Sequence, residues 1–252
     1  LQSYTANAMK YYSVSQYPGS TGQYYYTYFF AKHNIDATYT PLGCTTDNFE
    51  ALMNSLLDDV DTAGISISMP YKRSILEYVI KRNGNHDHPV IQYALANTVV
   101  VNPKLTTYNC DLQGVIEVTK QLPVGSKISI LGNGAMGKMF NDYLIESKYN
   151  NVMMYSRSMG NWNERYDEAD AIINCTNVGT VTRESPIERI PKLTKTVIDL
   201  SVIPGTLETL SVGQCDYISG LNFYHHQFME QFYRYTGVRL DYNDVVQAGN
   251  ER

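Results

Sequence analysis

Short apolar runs alternate with helically spaced stretches along this chain. Residues 11–15 read as a strand that stops before Pro18-Gly19, and a helix follows over about 23–33. Ile35, Ala37 and Tyr39 alternate with polar neighbours as a second strand would. Asp47 and Glu50 have capping-box spacing, and behind them Phe49, Leu52, Met53, Leu56 and Leu57 share one helical face. Ile65, Ile67 and Met69 alternate with Ser66 and Ser68, a strand that Pro70 ends. A helix is expected over 74–81 and a strand over 98–102.

From about residue 127 the pattern changes. The stretches 127–131, 152–155, 171–175, 196–200 and 217–219 are short apolar runs, separated by loops or helices, as in a buried parallel sheet. A helix is expected from Met136 to about Ser147. Phe228, Phe232 and Tyr235 could share a face near the end, before a last short helix over 241–248. The pattern predicts an α/β fold in two domains.

Composition narrows the class. The chain has 252 residues, enough for two modest domains. Its formal charge of −5 argues against a nucleic-acid or anionic-membrane binder. Hydrophobic residues make up 43%, so a real core is expected. No apolar run reaches membrane-spanning length, and no charged-then-apolar leader is visible at Leu1, before which a removed segment stays open. Cys44, Cys110, Cys175 and Cys215 form no C-x-x-C pair; no metal site is expected, and a reduced, cytoplasmic setting is. Tyrosine is common, at 22, which composition explains only as amphipathic core filling.

The sharpest local motif is Gly132-x-Gly134-x-x-Gly137 between a strand and a helix. Such glycines permit a tight turn and let a pyrophosphate approach free N–H groups at the helix start. After the next strand, Ser156-Arg157-Ser158 stands where an NAD site would place an acidic residue; an arginine there suits the 2′-phosphate of NADP. His86-Asp87-His88 reads as a solvated loop and His225-His226 as helix-borne histidines, one packed and one exposed.

In this order the chain resembles the shikimate dehydrogenase family. The carrying segments are Gly64-Ile-Ser-Ile-Ser-Met-Pro-Tyr-Lys72, Ala96-Asn97-Thr98-Val99-Val100, Asn109-Cys110-Asp111 and Leu131 to Gly137. Ser156-Arg157-Ser158, Asn174-Cys-Thr-Asn-Val-Gly179, and Gly220-Leu221 ahead of Gln227 complete the series. The Ser-Met-Pro-aromatic-Lys form and an altered N-terminal loop look most like the divergent shikimate dehydrogenase-like branch.

The resemblance implies a Rossmann-like NADP domain over 111–224, and a substrate domain over 1–110 plus 225–252, with the site in a cleft between them. It implies reversible, NADP(H)-dependent reduction of 3-dehydroshikimate to shikimate, in aromatic amino acid biosynthesis (the chorismate pathway), by a monomer or homodimer. Lys72 and Asp111 would be the catalytic acid–base pair. Thr21, Ser66, Ser68, Asn97 and Gln227 would hold the cyclic hydroxy acid. Gly132, Asn133, Gly134, Ala135, Met136, Ser156, Arg157, Ser158, Asn174, Thr176 and Gly220 would contact the cofactor. Three positions depart from the family pattern. His-Ser-x-Ser-Pro reads here Pro18-Gly19-Ser20-Thr21-Gly22, so one carboxylate-binding hydroxyl becomes Gly19. Asp-x-x-Tyr ends at Val202, and a second basic residue after Arg157 is Asn161. These departures keep open the same chemistry on quinate or another cyclic hydroxy acid, and a non-catalytic nucleotide-binding regulatory homologue.

Overall fold

The computed structural model describes residues 8–178, 184–202 and 205–252. Gly179, the last residue of the Asn174 motif, lies outside them. In chain order the elements begin with β1 (Met9–Ser15), α1 (Thr21–Lys32), β2 (Ala37–Gly43), α2 (Phe49–Asp58) and β3 (Thr62–Ile67). Next come α3 (Lys72–Lys81), β4 (Asn85–His86), α4 (His88–Tyr93), β5 (Thr98–Val100), β6 (Thr106–Tyr108) and α5 (Asp111–Thr119). After these follow β7 (Ile128–Leu131), α6 (Ala135–Glu146), β8 (Val152–Tyr155), β9 (Ala171–Asn174) and β10 (Thr196–Asp199). The chain closes with α7 (Thr206–Ser211), β11 (Asp216–Ile218), α8 (Gly220–Thr236) and α9 (Tyr242–Asn250). It divides into two compact units, one running to Asp111 and resuming at Phe228–Arg252, the other Leu112–Gln227. No helix among the described residues is long and apolar enough to cross a membrane.

The first unit is built on a sheet of order β2-β1-β3-β5-β6-β4. β1 pairs in parallel with β2 on one side and β3 on the other, so the chain reverses its direction of travel across the sheet between β1 and β3. In open α/β sheets such a switch point leaves a crevice at the carboxyl ends of the strands, where ligands bind. Alternation along β3 sends Ile65 and Ile67 to a core shared with Met53, Ile75 and Val99. Gly64 and Ser66 face the other way, toward Tyr235.

That other face explains the tyrosines. Tyr11, Tyr25, Tyr26, Phe29, Phe228 and Phe232 are fully buried there. Tyr26 stacks on Tyr39 with ring centroids 4.0 Å apart, and its hydroxyl donates to Gln231 Oε1 at 2.9 Å. Each ring buries a large apolar body, worth roughly 1.5–3 kcal/mol on the scale of a Phe side chain, while the hydroxyl keeps a partner.

Two local expectations are corrected. Asp47 does not cap α2. Residues Thr46–Asn48 wind into a 3-10 turn that runs into the helix, and Asn48 at its start makes no side-chain cap bond. The His86-Asp87-His88 stretch is ordered. His86 lies in β4 beside β6, and the Asp87 carboxylate accepts from Val90 N at 3.1 Å, capping α4.

The second unit carries a fully parallel sheet of order β11-β10-β9-β7-β8. Counted within the unit this is 2-1-3-4-5, a doubly wound arrangement with its switch point at β7. β7, β9 and β10 are buried at every position, as their short, mostly apolar runs predict. The α/β expectation with a Rossmann-like sheet holds.

Candidate active site

Lys72 is the first residue of α3, directly after the turn that leaves β3. A cation at a helix N-terminus opposes the helix dipole, so stability alone does not favour lysine there. Its Nζ donates to Asp111 Oδ2 at 2.5 Å, and the Asp111 carboxylate is almost wholly buried. Asp111 opens α5, where the dipole does favour a carboxylate. Sequence spacing offered no reason to join these residues; the fold joins them because β3 and β6 both end at this edge, each followed by a helix.

Asn97 completes this corner. Its Oδ1 accepts from Cys110 N at 2.9 Å and from Thr98 Oγ1 at 2.8 Å, which fixes the strand running into Asp111. Its backbone oxygen accepts from Ile67 N and from Gln231 Nε2. The Nδ2 hydrogens are the part of this side chain left for a ligand hydroxyl. Cys110 is inert packing beside it: burial pushes its thiol up, and it accepts from Thr98 Oγ1.

Ser66 and Ser68 differ from each other. Ser68 is exposed on the turn before Lys72. Ser66 is buried, with its hydroxyl 3.0 Å from Tyr235 Oη and hydrogen-bonded to Tyr39. Burial raises both phenols, Tyr39 to about 12, so both stay protonated donors at neutral pH. A Cβ on Gly22 would lie 3.3 Å from Tyr39 Oη, so the phenol that meets Ser66 also borders the first turn of α1. The Tyr39 and Tyr235 hydroxyls escaped sequence reading because each belongs to an element distant from Ser66 in the chain. Gln227 is half-buried on α8, one turn before the buried Gln231.

In the second unit the glycine loop follows β7. Gly132 has φ +102°, open to glycine at little cost. A Cβ on Gly137 would strike the Gly132 carbonyl oxygen, so α6 can pack this closely only with glycine there. At Gly134, the residue before α6, a Cβ would meet nothing within 4 Å. That open backbone cradle fits a pyrophosphate, and Asn133, Ala135 and Met136 flank it.

Two further loops meet this one. Asn133 Nδ2 donates to Ser158 Oγ at 2.9 Å, tying the glycine loop to residues 156–161. Asn161, at the missing second basic position, shapes that loop: its Oδ1 accepts from Ser156 N and its Nδ2 donates to Met154 O. Ser156 is buried, and its hydroxyl accepts from Met159 N. Arg157 is exposed at the tip. On the other side, a Cβ on Gly132 would meet Cys175 and Thr176 at 3.2 Å.

Asn174 has both ends of its carboxamide committed inward. Its Nδ2 donates to Asp199 Oδ1 at 2.9 Å, and its Oδ1 accepts from Thr176 N and Oγ1 at 3.0 and 2.7 Å. Burial raises the Asp199 carboxyl, while Ser201 N, Asn174 and Tyr217 Oη donate to it. Asn174 therefore shapes the 174–176 loop from below. Gly220 is forced by packing: a Cβ there would run into the backbone of Leu200 and Ser201.

A switch-point crevice with an ion-paired lysine, and a doubly wound sheet with a pyrophosphate cradle, define the class: a two-unit α/β protein of the dinucleotide-binding kind. Comparison with known proteins narrows it. Residues 19–85 match the shikimate dehydrogenase substrate binding domain. The chain is 25% identical to shikimate dehydrogenase (NADP(+)) of Maridesulfovibrio salexigens over 84% of its own length and 85% of that protein's. It is 24% identical to the Streptococcus pneumoniae protein of the same name, over 75% and 78%. Among solved structures, a shikimate 5-dehydrogenase-like protein, HI0607, shares the fold with TM-score 0.81 and 20% identity, covering 98% of each chain. The Thermus thermophilus shikimate 5-dehydrogenase, solved with NADP(H) and shikimate, has TM-score 0.81 at 17% identity over 96% and 99%. Residues 19–85 thus match a shikimate dehydrogenase domain, and the chain is similar to shikimate dehydrogenases over most of its length.

Proposed function

We propose that this chain is an NADP-dependent oxidoreductase that interconverts 3-dehydroshikimate and shikimate. The observation that carries the reading is the Lys72–Asp111 pair, 2.5 Å apart at the switch-point edge of the first sheet and beside Asn97. The names of the curated relatives supply the substrate and the cofactor.

In this reading the first unit holds substrate and the second holds NADP. Gly132, Gly134 and the start of α6 take the pyrophosphate, and Arg157 with Ser158 takes the 2′-phosphate. Bound there, the nicotinamide supplies the hydride that reduces the ketone carbon. Lys72 gives its proton to the ketone oxygen as that oxygen gains negative charge, and takes one back in the reverse direction. Asp111 aims the ammonium and balances its charge. Asn97 and Gln227 hold ring hydroxyls, Ser68 lines the exposed lip, and Thr21 meets the carboxylate. Asn174, Thr176 and Gly220 would hold the cofactor through the backbone that they shape.

The test is a panel of shikimate, quinate and related cyclic hydroxy acids with NADP+ or NAD+, read by absorbance of reduced cofactor. Oxidation of shikimate with NADP+ preferred is expected. A protein that binds NADPH yet oxidises no acid of the panel would overturn the reading.

A further inference from the structure

The loop after β1 carries an arginine that sequence reading does not single out. Arg252 Nη1 donates to Thr21 Oγ1 at 2.8 Å, and its Nη2 to Ser20 Oγ at 3.3 Å. The packing of α9 along α1 brings it there, with Tyr24 Oη donating to Ala248 O at 2.9 Å. Arg252 takes part in no ion pair among the described residues, and its charge acts on the neighbouring Tyr25 phenol. Ser20 stands at the helix start, yet its hydroxyl makes no cap bond.

This loop lies against the turn that leads into Lys72. Gln16 N donates to Met69 O on the turn before Lys72, and Tyr39 Oη sits between Gly22 and Ser66. At Gly19, the position lacking a hydroxyl, the space where a Cβ would go is open. A guanidinium has five N–H donors in a rigid fork, so those not used on Thr21 and Ser20 remain for a planar anion. A hydroxyl that accepts from arginine keeps its own hydrogen to donate onward. Together these groups place a guanidinium and two hydroxyls at the start of α1.

We propose that Arg252 is a specificity-determining residue of this chain: seated on the Thr21 and Ser20 hydroxyls, it grips the carboxylate of the acid substrate in place of the hydroxyl absent at Gly19. The proposal rests on the functional reading above. It adds that this chain binds the acid by charge rather than by a pair of hydroxyls.

The experiment uses the full chain and compares wild type, Arg252→Gln and Arg252→Lys with shikimate and with its uncharged methyl ester. Calorimetric titration of each ligand accompanies the kinetics. Arg252→Gln is expected to raise KM and Kd for shikimate about tenfold or more with kcat within about threefold, the signature of lost ground-state binding. The methyl ester should be unaffected, and Arg252→Lys should recover part of the loss. An unchanged KM for shikimate, or an equal rise for acid and ester, would overturn the role of Arg252 while leaving the function standing. Wild type that neither binds nor oxidises any acid of the panel would overturn the function and this inference with it.

Discussion

At the carboxyl edge of the first sheet the proposed chemistry rests on side chains. Lys72, Asp111, Asn97 and Ser66 each have a protein partner before any ligand arrives. At the carboxyl edge of the second sheet it is carried by backbone, and Gly132, Gly134 and Gly137 keep side chains out of the way. A small polyhydroxy acid must be told apart from its isomers, which takes directional groups held at fixed angles. A pyrophosphate needs an anion cradle and close approach, which N–H groups at a helix start provide. The two edges should therefore fail in different ways when altered.

The largest effect is expected at the first edge. Lys72→Ala should lower turnover by ~10²–10⁴-fold, the usual range for a general acid–base, with NADPH affinity nearly unchanged. Because it leaves the buried Asp111 carboxylate unpaired, thermal unfolding must be followed too. Lys72→Arg keeps a charge there but gives up the proton poorly, so it should stay folded and slow. Turnover within a few-fold of wild type in either variant would remove Lys72 from the mechanism.

The second edge should break through its backbone. Gly137→Ala forces the new methyl against the Gly132 carbonyl oxygen, so α6 or the loop must shift. Overpacking of this kind costs roughly 1–3 kcal/mol of stability, and misplacing a binding loop by an ångström can cost about a hundredfold. Weaker NADPH binding with shikimate affinity intact would separate the two edges; a variant with wild-type affinity and stability would mean that the loop has slack.

This contrast also decides what could be read from the sequence. The glycine loop is local, with strand, turn and helix in succession, and β7, β9 and β10 announce themselves as short, mostly apolar runs. The first edge is assembled from distant segments. Only a family resemblance pointed to Lys72 and Asp111, and nothing pointed to Tyr39, Tyr235 or Arg252, whose partners lie far along the chain. Residue type alone does not show direction: the Asn174 carboxamide bonds to Asp199 and Thr176, and the Ser156 hydroxyl accepts from Met159 N. Elements without a strong period were missed: β4 has two residues, and α4 is one short helix ended by Ala94 in the left-handed region.

A smaller effect should separate the two cofactors. Arg157→Ala is expected to weaken NADP+ binding by roughly 1–3 kcal/mol, the scale of a charge-assisted bond, and to leave NAD+ binding unaltered. The side chain is exposed, and the loop beneath it is held by Asn161 and Ser156, so the substitution should not disturb the fold. Equal loss for both cofactors, measured by fluorescence titration, would assign Arg157 to loop structure instead.

The smallest effect tests the carboxylate end of the first edge. Gly19 is not in the left-handed region, and a Cβ there meets nothing within 4 Å, so serine fits without strain. If shikimate is the ligand of this crevice, Gly19→Ser adds a hydroxyl beside Thr21 and should tighten it about three- to tenfold, on the order of the 0.5–1.5 kcal/mol net worth of one hydrogen bond. The gain should be larger in an Arg252→Gln background than in wild type, because an anion already gripped by a guanidinium has less to gain from one more donor. Thermal stability should hold in both backgrounds. A stable Gly19→Ser protein that binds shikimate no better in either one, yet still oxidises another cyclic acid of the panel, would mean that the β1–α1 loop is shaped for that acid and that shikimate is a poor surrogate for it.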